Sequence, residues 1–259
     1  MKRKAIGMLL FAGTGVLTLS VALANQAAPT TNEAATTTTD DPAARELFRE
    51  ASGRRYRWDK DLKGFSADVT LEQNGKSATG TVTVKLGSAK LDIQVASDNP
   101  ALEGVVRELV GVSVVHARPN NFDESYAKTT FALAGPGRHG GTVIKMTGHS
   151  IFKDFTVKDG FIVQNHTGGP GFETEVNVEQ VAWVAELGKT VPKELLAKIV
   201  SGEGDSKVTR WRHSREDWTQ VDGYWFPNHY RLTITEGESK TESALTLANI
   251  RVERTPAKK

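Results

Sequence analysis

The chain has 259 residues, 25% charged and 38% hydrophobic, with no cysteine and a formal net charge of +2. That is ordinary globular composition, long enough to bury a core without cross-links. The lack of cysteine excludes disulfides, thiolate nucleophiles and thiolate metal sites, and the near-neutral charge argues against a nucleic-acid partner, which calls for a marked basic excess.

Lys2, Arg3 and Lys4 precede an apolar stretch ending in Ala22-Leu23-Ala24, the pattern of a secretory signal peptide over residues 1–24. A retained membrane anchor is the alternative, but Gly7, Gly13, Gly15, Thr14, Thr18 and Ser20 dilute the run. Removing residues 1–24 takes away three cations and no acid, so +2 becomes −1 and the nominal basicity belongs to the signal. Residues 25–40 are rich in Thr and Ala with no large apolar side chain, which reads as a flexible leader. Residues 41–255 then read as a single β-rich domain.

Asp41 and Pro42 form a cap-then-proline helix start, followed by Ala44, Leu47, Phe48 and Ala51 on one face. Phe65, Ala67, Val69 and Leu71 alternate into Asn74-Gly75, a type I′ hairpin turn, and Ala78, Gly80, Val82 and Val84 alternate out of it. Ala89, Leu91, Ile93 and Val95 extend the meander. Asn99-Pro100 opens a second helix with Leu102, Val105, Val106, Leu109 and Val110 as its apolar stripe.

From Val112 to His116 the β-branched run predicts a return to strand, and further strands follow at 126–134, 142–148, 152–157 and 161–166, the last reached across Lys158-Asp159-Gly160. Phe172 to Val184 alternates Glu173, Glu175, Asn177 and Glu179 with valines, so one side is solvated. Pro192 to Val200 reads as a short amphipathic helix, and Lys207 to Glu253 as a closing three-stranded meander broken at Asp222-Gly223 and Glu236-Gly237. The sum is a mainly β (α+β) fold: a single curved antiparallel sheet or half-barrel of about ten to eleven strands with two or three helices on its concave face.

The stretches Ala44 to Asp59, Gly64 to Val84 and Asp222 to Glu238 resemble an uncharacterised bacterial domain-of-unknown-function family over nearly the whole mature chain. That resemblance brings no activity with it. More distantly, Phe65 to Val84 and the Asp222 to Leu232 pattern are similar to LolA/LolB-type periplasmic lipoprotein carriers, half-open barrels whose helices close a hydrophobic cavity for acyl chains. The carriers' functional arginine finds no counterpart here, and Glu186 to Asp205 has no place in their simple pattern.

Catalytic motifs are weak. Gly148-His149-Ser150-Ile151-Phe152 has Phe152 where a nucleophile elbow needs its second glycine. The six histidines, His116, His139, His149, His166, His213 and His229, form no H-E-x-x-H or His-x-His pair. Residues 135–142 are glycine-rich but lack the Lys-Ser/Thr ending of a phosphate loop. Arg210, Arg212 and Arg215 interleave with Trp211 and Trp218, which suggests Arg-Trp stacking on a strand face. Asp205, Glu216 and Asp217, or Asp59 and Asp61, could pair as acid and base only if the fold brings them together.

Phe65, Val69, Leu71, Val82, Leu91 and Ile93 would line the concave wall. Small Ala67, Ala78 and Gly80 in the same rows suggest empty volume beside them. The expectation is an exported, non-enzymatic protein of the periplasm or cell envelope, holding a lipid or lipoprotein acyl chain between sheet and helices. It would carry no cofactor or metal, bind no nucleic acid and touch membrane only transiently. A cell-envelope hydrolase, or a structural or protein-interaction module with a filled core, is the alternative.

Overall fold

The computed structural model describes residues 39–87, 91–149 and 151–255; the expected signal peptide, nearly all of the expected leader, Ala89 and Ser150 lie outside the described residues. After helix α1 (Pro42–Gly53), three strands β1 (Leu62–Gln73), β2 (Lys76–Leu86) and β3 (Leu91–Ser97) lead to helices α2 (Pro100–Val115) and α3 (Phe122–Ser125). Nine strands follow: β4 (Thr130–Pro136), β5 (Thr142–Thr147), β6 (Phe152–Lys158), β7 (Phe161–Gly169), β8 (Phe172–Val184), β9 (Lys189–Ser201), β10 (Val208–Val221), β11 (Tyr224–Glu236) and β12 (Ser239–Arg254).

All twelve strands join one open antiparallel sheet in the order β3-β2-β1-β12-β11-β10-β9-β8-β7-β6-β5-β4. Strand β1 pairs with β12, Phe65 opposite Val252 and Leu71 opposite Leu245, so the two ends of the domain meet inside the sheet. The chain leaves at edge strand β3 and re-enters at the opposite edge, β4. Its connection, α2 and α3, therefore crosses the inner face.

The hairpin chemistry appears where expected. Asn74-Gly75, Asp159-Gly160 and Asp222-Gly223 all take positive φ at both central positions, 48° and 76° in the first, which is the backbone a type I′ turn demands. Asp41 caps α1 by accepting from Ala43 N at 2.8 Å and Ala44 N at 3.3 Å.

Two sequence expectations are corrected. Val112 to His116 is not strand, because Ser113 and Val114 continue the buried stripe of Leu102, Val106, Leu109 and Val110 and the helix runs on to Val115. Pro192 to Val200 is not helix. It lies within β9, paired with β8 on one side and β10 on the other, and ladder pairing on both edges overrides local helix propensity. Pro192 sits beside the β8 bulge at Gln180 and Val181, where a missing N–H is tolerated. The strand count is twelve, and the third helix is α3 rather than the 192–200 segment.

The core is split. One cluster joins β1, β2, β11 and β12 to α2 through Phe65, Leu71, Val82, Val106, Leu109, Phe226 and Leu245. The other joins α1 to β4 through β7, with Phe48 ringed by Phe122, Tyr126, Phe131 and Phe155 at centroid distances of 4.6 to 5.8 Å. Gly80 reports close backbone approach rather than empty volume, since a Cβ there would lie 2.0 Å from Ala96 O.

Truncating Phe48 to Ala removes the ring on which the second cluster converges. The expected cost is about 3–5 kcal/mol in urea unfolding, against a change within about 0.5 kcal/mol for Thr81→Ala on the exposed face.

Candidate functional site

The six candidate wall residues are brought together. Phe65, Val69, Leu71 and Val82 are buried in the first cluster, and Leu91 and Ile93 pack against it half-buried. All six belong to the apolar layer that includes α2, so in this conformation they meet protein. Two grooves on the described residues lie elsewhere. One, of about 240 Å³, is lined by Gln180, Lys193, Glu194, Arg215, Glu216, Asp217 and Arg231. The other, of about 620 Å³, surrounds the Asn74-Gly75 turn and the facing parts of β11 and β12. Both carry charged side chains and neither includes a wall residue.

Between the two core clusters lies a polar seam that the sequence reading missed. The segment Arg54 to Trp58 straps α1 to β1: Tyr56 N donates to Thr190 O at 2.7 Å, Thr190 N to Arg54 O at 2.8 Å, and Trp58 N to Ala117 O at 2.7 Å. Tyr56 and Trp58 are buried in the first cluster, Trp58 donating its indole N–H to Trp225 O at 2.8 Å. Arg55 and Arg57 alternate with them and are half-buried. Arg55 Nη2 lies 3.2 Å from His116 Nδ1, and Arg57 Nη1 donates to Arg118 O at 3.2 Å. Both guanidiniums thus sit by the C-terminal end of α2, the negative end of its dipole.

Strand β10 supplies the far side of the seam. Arg212, Ser214 and Glu216 share one face, opposite Ile234, Leu232 and Tyr230 of β11. Glu216 is 1% exposed, and neither carboxyl oxygen has a hydrogen-bond partner among the described residues. His116 Nε2 is 3.9 Å from Glu216 Oε1, too far for a direct bond.

Burial sets the charge states. Desolvation pushes the Glu216 carboxyl up to about 8, against the pull of Arg55, so the acid holds its proton at neutral pH. Burial, with Arg55 and Arg57 alongside, pushes His116 down to about 3 and keeps it neutral. Arg55 is lowered by burial and by Arg57 to about 10 and stays charged. With Nδ1 facing a guanidinium and the carboxyl protonated, His116 and Glu216 are not arranged as the base and orienting carboxylate of a hydrolase. The seam thus sets the positive charges of Arg55 and Arg57 beside a neutral imidazole and a protonated carboxyl.

The other candidate pairings resolve into structure. Glu216 is buried while its neighbour Asp217 is exposed, and Asp205 lies in a separate turn at Gly204–Ser206. Asp59 Oδ1 accepts from Asp61 N, Leu62 N and Tyr224 Oη. In place of the expected Arg-Trp stack, Arg210 pairs with Glu236 at 2.6 Å, Arg215 pairs with Glu194 at 3.0 Å, and the Lys198 ammonium lies over the Trp211 ring. No group of three metal-ligating side chains converges among the described residues. No helix among them is long and apolar enough to cross a membrane.

The chain belongs to the family described as Protein of unknown function (DUF3386), whose model matches residues 39–252. No curated protein matches it in sequence. Among solved structures it is similar to a DUF1329 family protein from Desulfovibrio piger, at 10% identity and a TM-score of 0.31, covering 83% of this chain and 94% of that one. It is also similar to a putative outer membrane lipoprotein-sorting protein domain from Vibrio parahaemolyticus, at 10% identity and a TM-score of 0.36, covering 84% and 94%. The MucA/MucB complex of Pseudomonas aeruginosa gives 10% identity and a TM-score of 0.19, covering 82% and 100%. Likenesses at these scores say nothing of what the chain binds.

The seam makes stability depend on pH with a definite sign. Glu216 binds its proton more tightly folded than unfolded, so stability falls as pH rises from the ordinary carboxyl range toward about 8. His116 refuses a proton when folded, so stability falls as pH drops from 6.5 toward about 3. Glu216→Gln removes only the first trend. The gap in Tm between variant and parent is expected to widen from about pH 6 to about pH 8 and then level off; parallel curves would contradict the buried acid.

Proposed function

We propose that the protein is an exported, non-enzymatic binding protein of the cell envelope that holds a hydrophobic ligand, a lipid or acyl chain, between a curved sheet and its helices. The observation that carries this reading is the incomplete cover of the inner face. Helix α1 packs chiefly on β4, β6 and β7, and α2 on β3 and β11. On β8 and β9, Val176, Val178 and Ala197 are half-buried, and they pair directly with one another or with Leu195 across the ladder. Leu195 and Ile199 beside them are buried, yet they join neither core cluster.

This apolar strip, open between the two helices, supports a site for a chain rather than for a polar substrate. Phe65, Val69, Leu71, Val82, Leu91 and Ile93 would join the ligand's wall when α2 lifts from the sheet. Export rests on the basic-then-apolar N-terminal pattern. The filled layer under α2 is what an interaction module would have, and ligand uptake separates the two readings.

Native mass spectrometry of the mature protein from a bacterial host, with titration of a fluorescent fatty acid, tests the proposal. A stoichiometric lipid adduct and saturable uptake are expected, both lost in Ala197→Trp at unchanged Tm. A clean apo mass with no uptake would overturn it.

A further inference from the structure

Deepening the reading of a hydrophobic-ligand protein, we propose that the ligand is an amphiphile with one anionic oxygen head, carboxylate or phosphate, seated on Arg55 in the seam, its apolar chain running along the β8–β9 strip. The proposal rests on that reading, and its geometry comes from three observations. First, none of the ion pairs among the described residues involves Arg55, Arg57 or Arg212. Withdrawn guanidiniums are ordinarily matched by an anion.

Second, the acid beside Arg55 is left unsatisfied. Both oxygens of Glu216 are buried without a hydrogen-bond partner among the described residues, as are Nη2 of Arg212, farther along the same face of β10, and Oδ1 of Asn228 on β11. A head group with two or three oxygens offers acceptors to the guanidinium fork and to the protonated carboxyl together. Glu216 cannot supply the anion cheaply itself, because its burial opposes ionisation.

Third, the seam and the strip are continuous. Glu216 and Ser214 occupy one face of β10, and Ser214 pairs across the ladder with Leu195 of β9, which pairs with Val178 of β8. A head at Glu216 thus stands at one end of an apolar path. The arrangement matches a molecule with charge at one end and hydrocarbon beyond it.

Binding of hexadecanoate, hexadecyl phosphate and hexadecanol to the mature protein tests the proposal. The two anionic probes are expected to bind roughly tenfold or more tightly than the alcohol, and the tighter of them identifies the head. Arg55→Gln is expected to bring the anionic probes down to the alcohol's affinity while leaving the alcohol unchanged. Arg138→Gln, on an exposed loop, is expected to change neither. Arg57→Gln serves as the second variant should Arg55→Gln fail to fold, with the same direction of effect.

Equal affinity for alcohol and anions would overturn the head-group assignment and leave the apolar site standing. Equal loss for all three probes in a folded Arg55→Gln would also overturn it, by making Arg55 structural. No binding of any probe would overturn it together with the reading beneath it.

Discussion

The path of the chain from edge strand β3 to edge strand β4 governs the rest of the molecule. These strands stand at opposite ends of a twelve-stranded sheet, and the connection between them must pass over its inner face. An apolar stripe on α2 makes that crossing favourable, because Leu102, Val106, Leu109, Val110 and Val114 bury against the first strands and β11. Helix α1 is held over the other end by Asp40, which accepts from Phe131 N at 2.8 Å and from Arg45 at 2.7 Å. Two helices over two ends leave the middle strands with neither. The split core, the strap and the seam all follow from that division.

The strap carries the polar seam at a cost that the fold only partly offsets. Alternation along Arg55, Tyr56, Arg57 and Trp58 sends two aromatics into the first cluster and two guanidiniums the other way. The α2 dipole faces both cations, and Arg57 also has the Arg118 carbonyl. Arg55 meets a neutral imidazole, and neither oxygen of Glu216 has a hydrogen-bond partner among the described residues. An unpaired buried carboxyl destabilises a fold by the desolvation it suffers, and apolar side chains of similar size would pack there more favourably. Groups kept at such a cost, with titration shifted in opposite directions, are the basis on which the head-group site is proposed here.

Local chemistry was legible where it is decided locally. Asn74-Gly75, Asp159-Gly160 and Asp222-Gly223 announce their turns, and Asp41-Pro42 announces α1, because each rests on a backbone preference within a few residues. The 192–200 segment and the last turn of α2 were not, since neighbouring strands and a buried face override their propensity. The seam was harder still. It gathers residues from the strap, the end of α2 and β10, more than 150 positions apart between Arg55 and Glu216. Two signals were present: charge alternating with aromatics directly after α1, and Arg212, Ser214 and Glu216 in one row of a strand. Either row alone reads as a solvated face. Only the topology shows that both rows turn inward.

The account comes down to whether an acyl chain lies on the inner face between the helices. Photo-crosslinking with a fatty acid bearing a diazirine along its chain, followed by peptide mapping, addresses this directly. The account predicts adducts on β8 and β9, at Val176, Val178 or Ala197, competed away by unlabelled fatty acid. Adducts confined to the exposed faces, or unaffected by competitor, would contradict it.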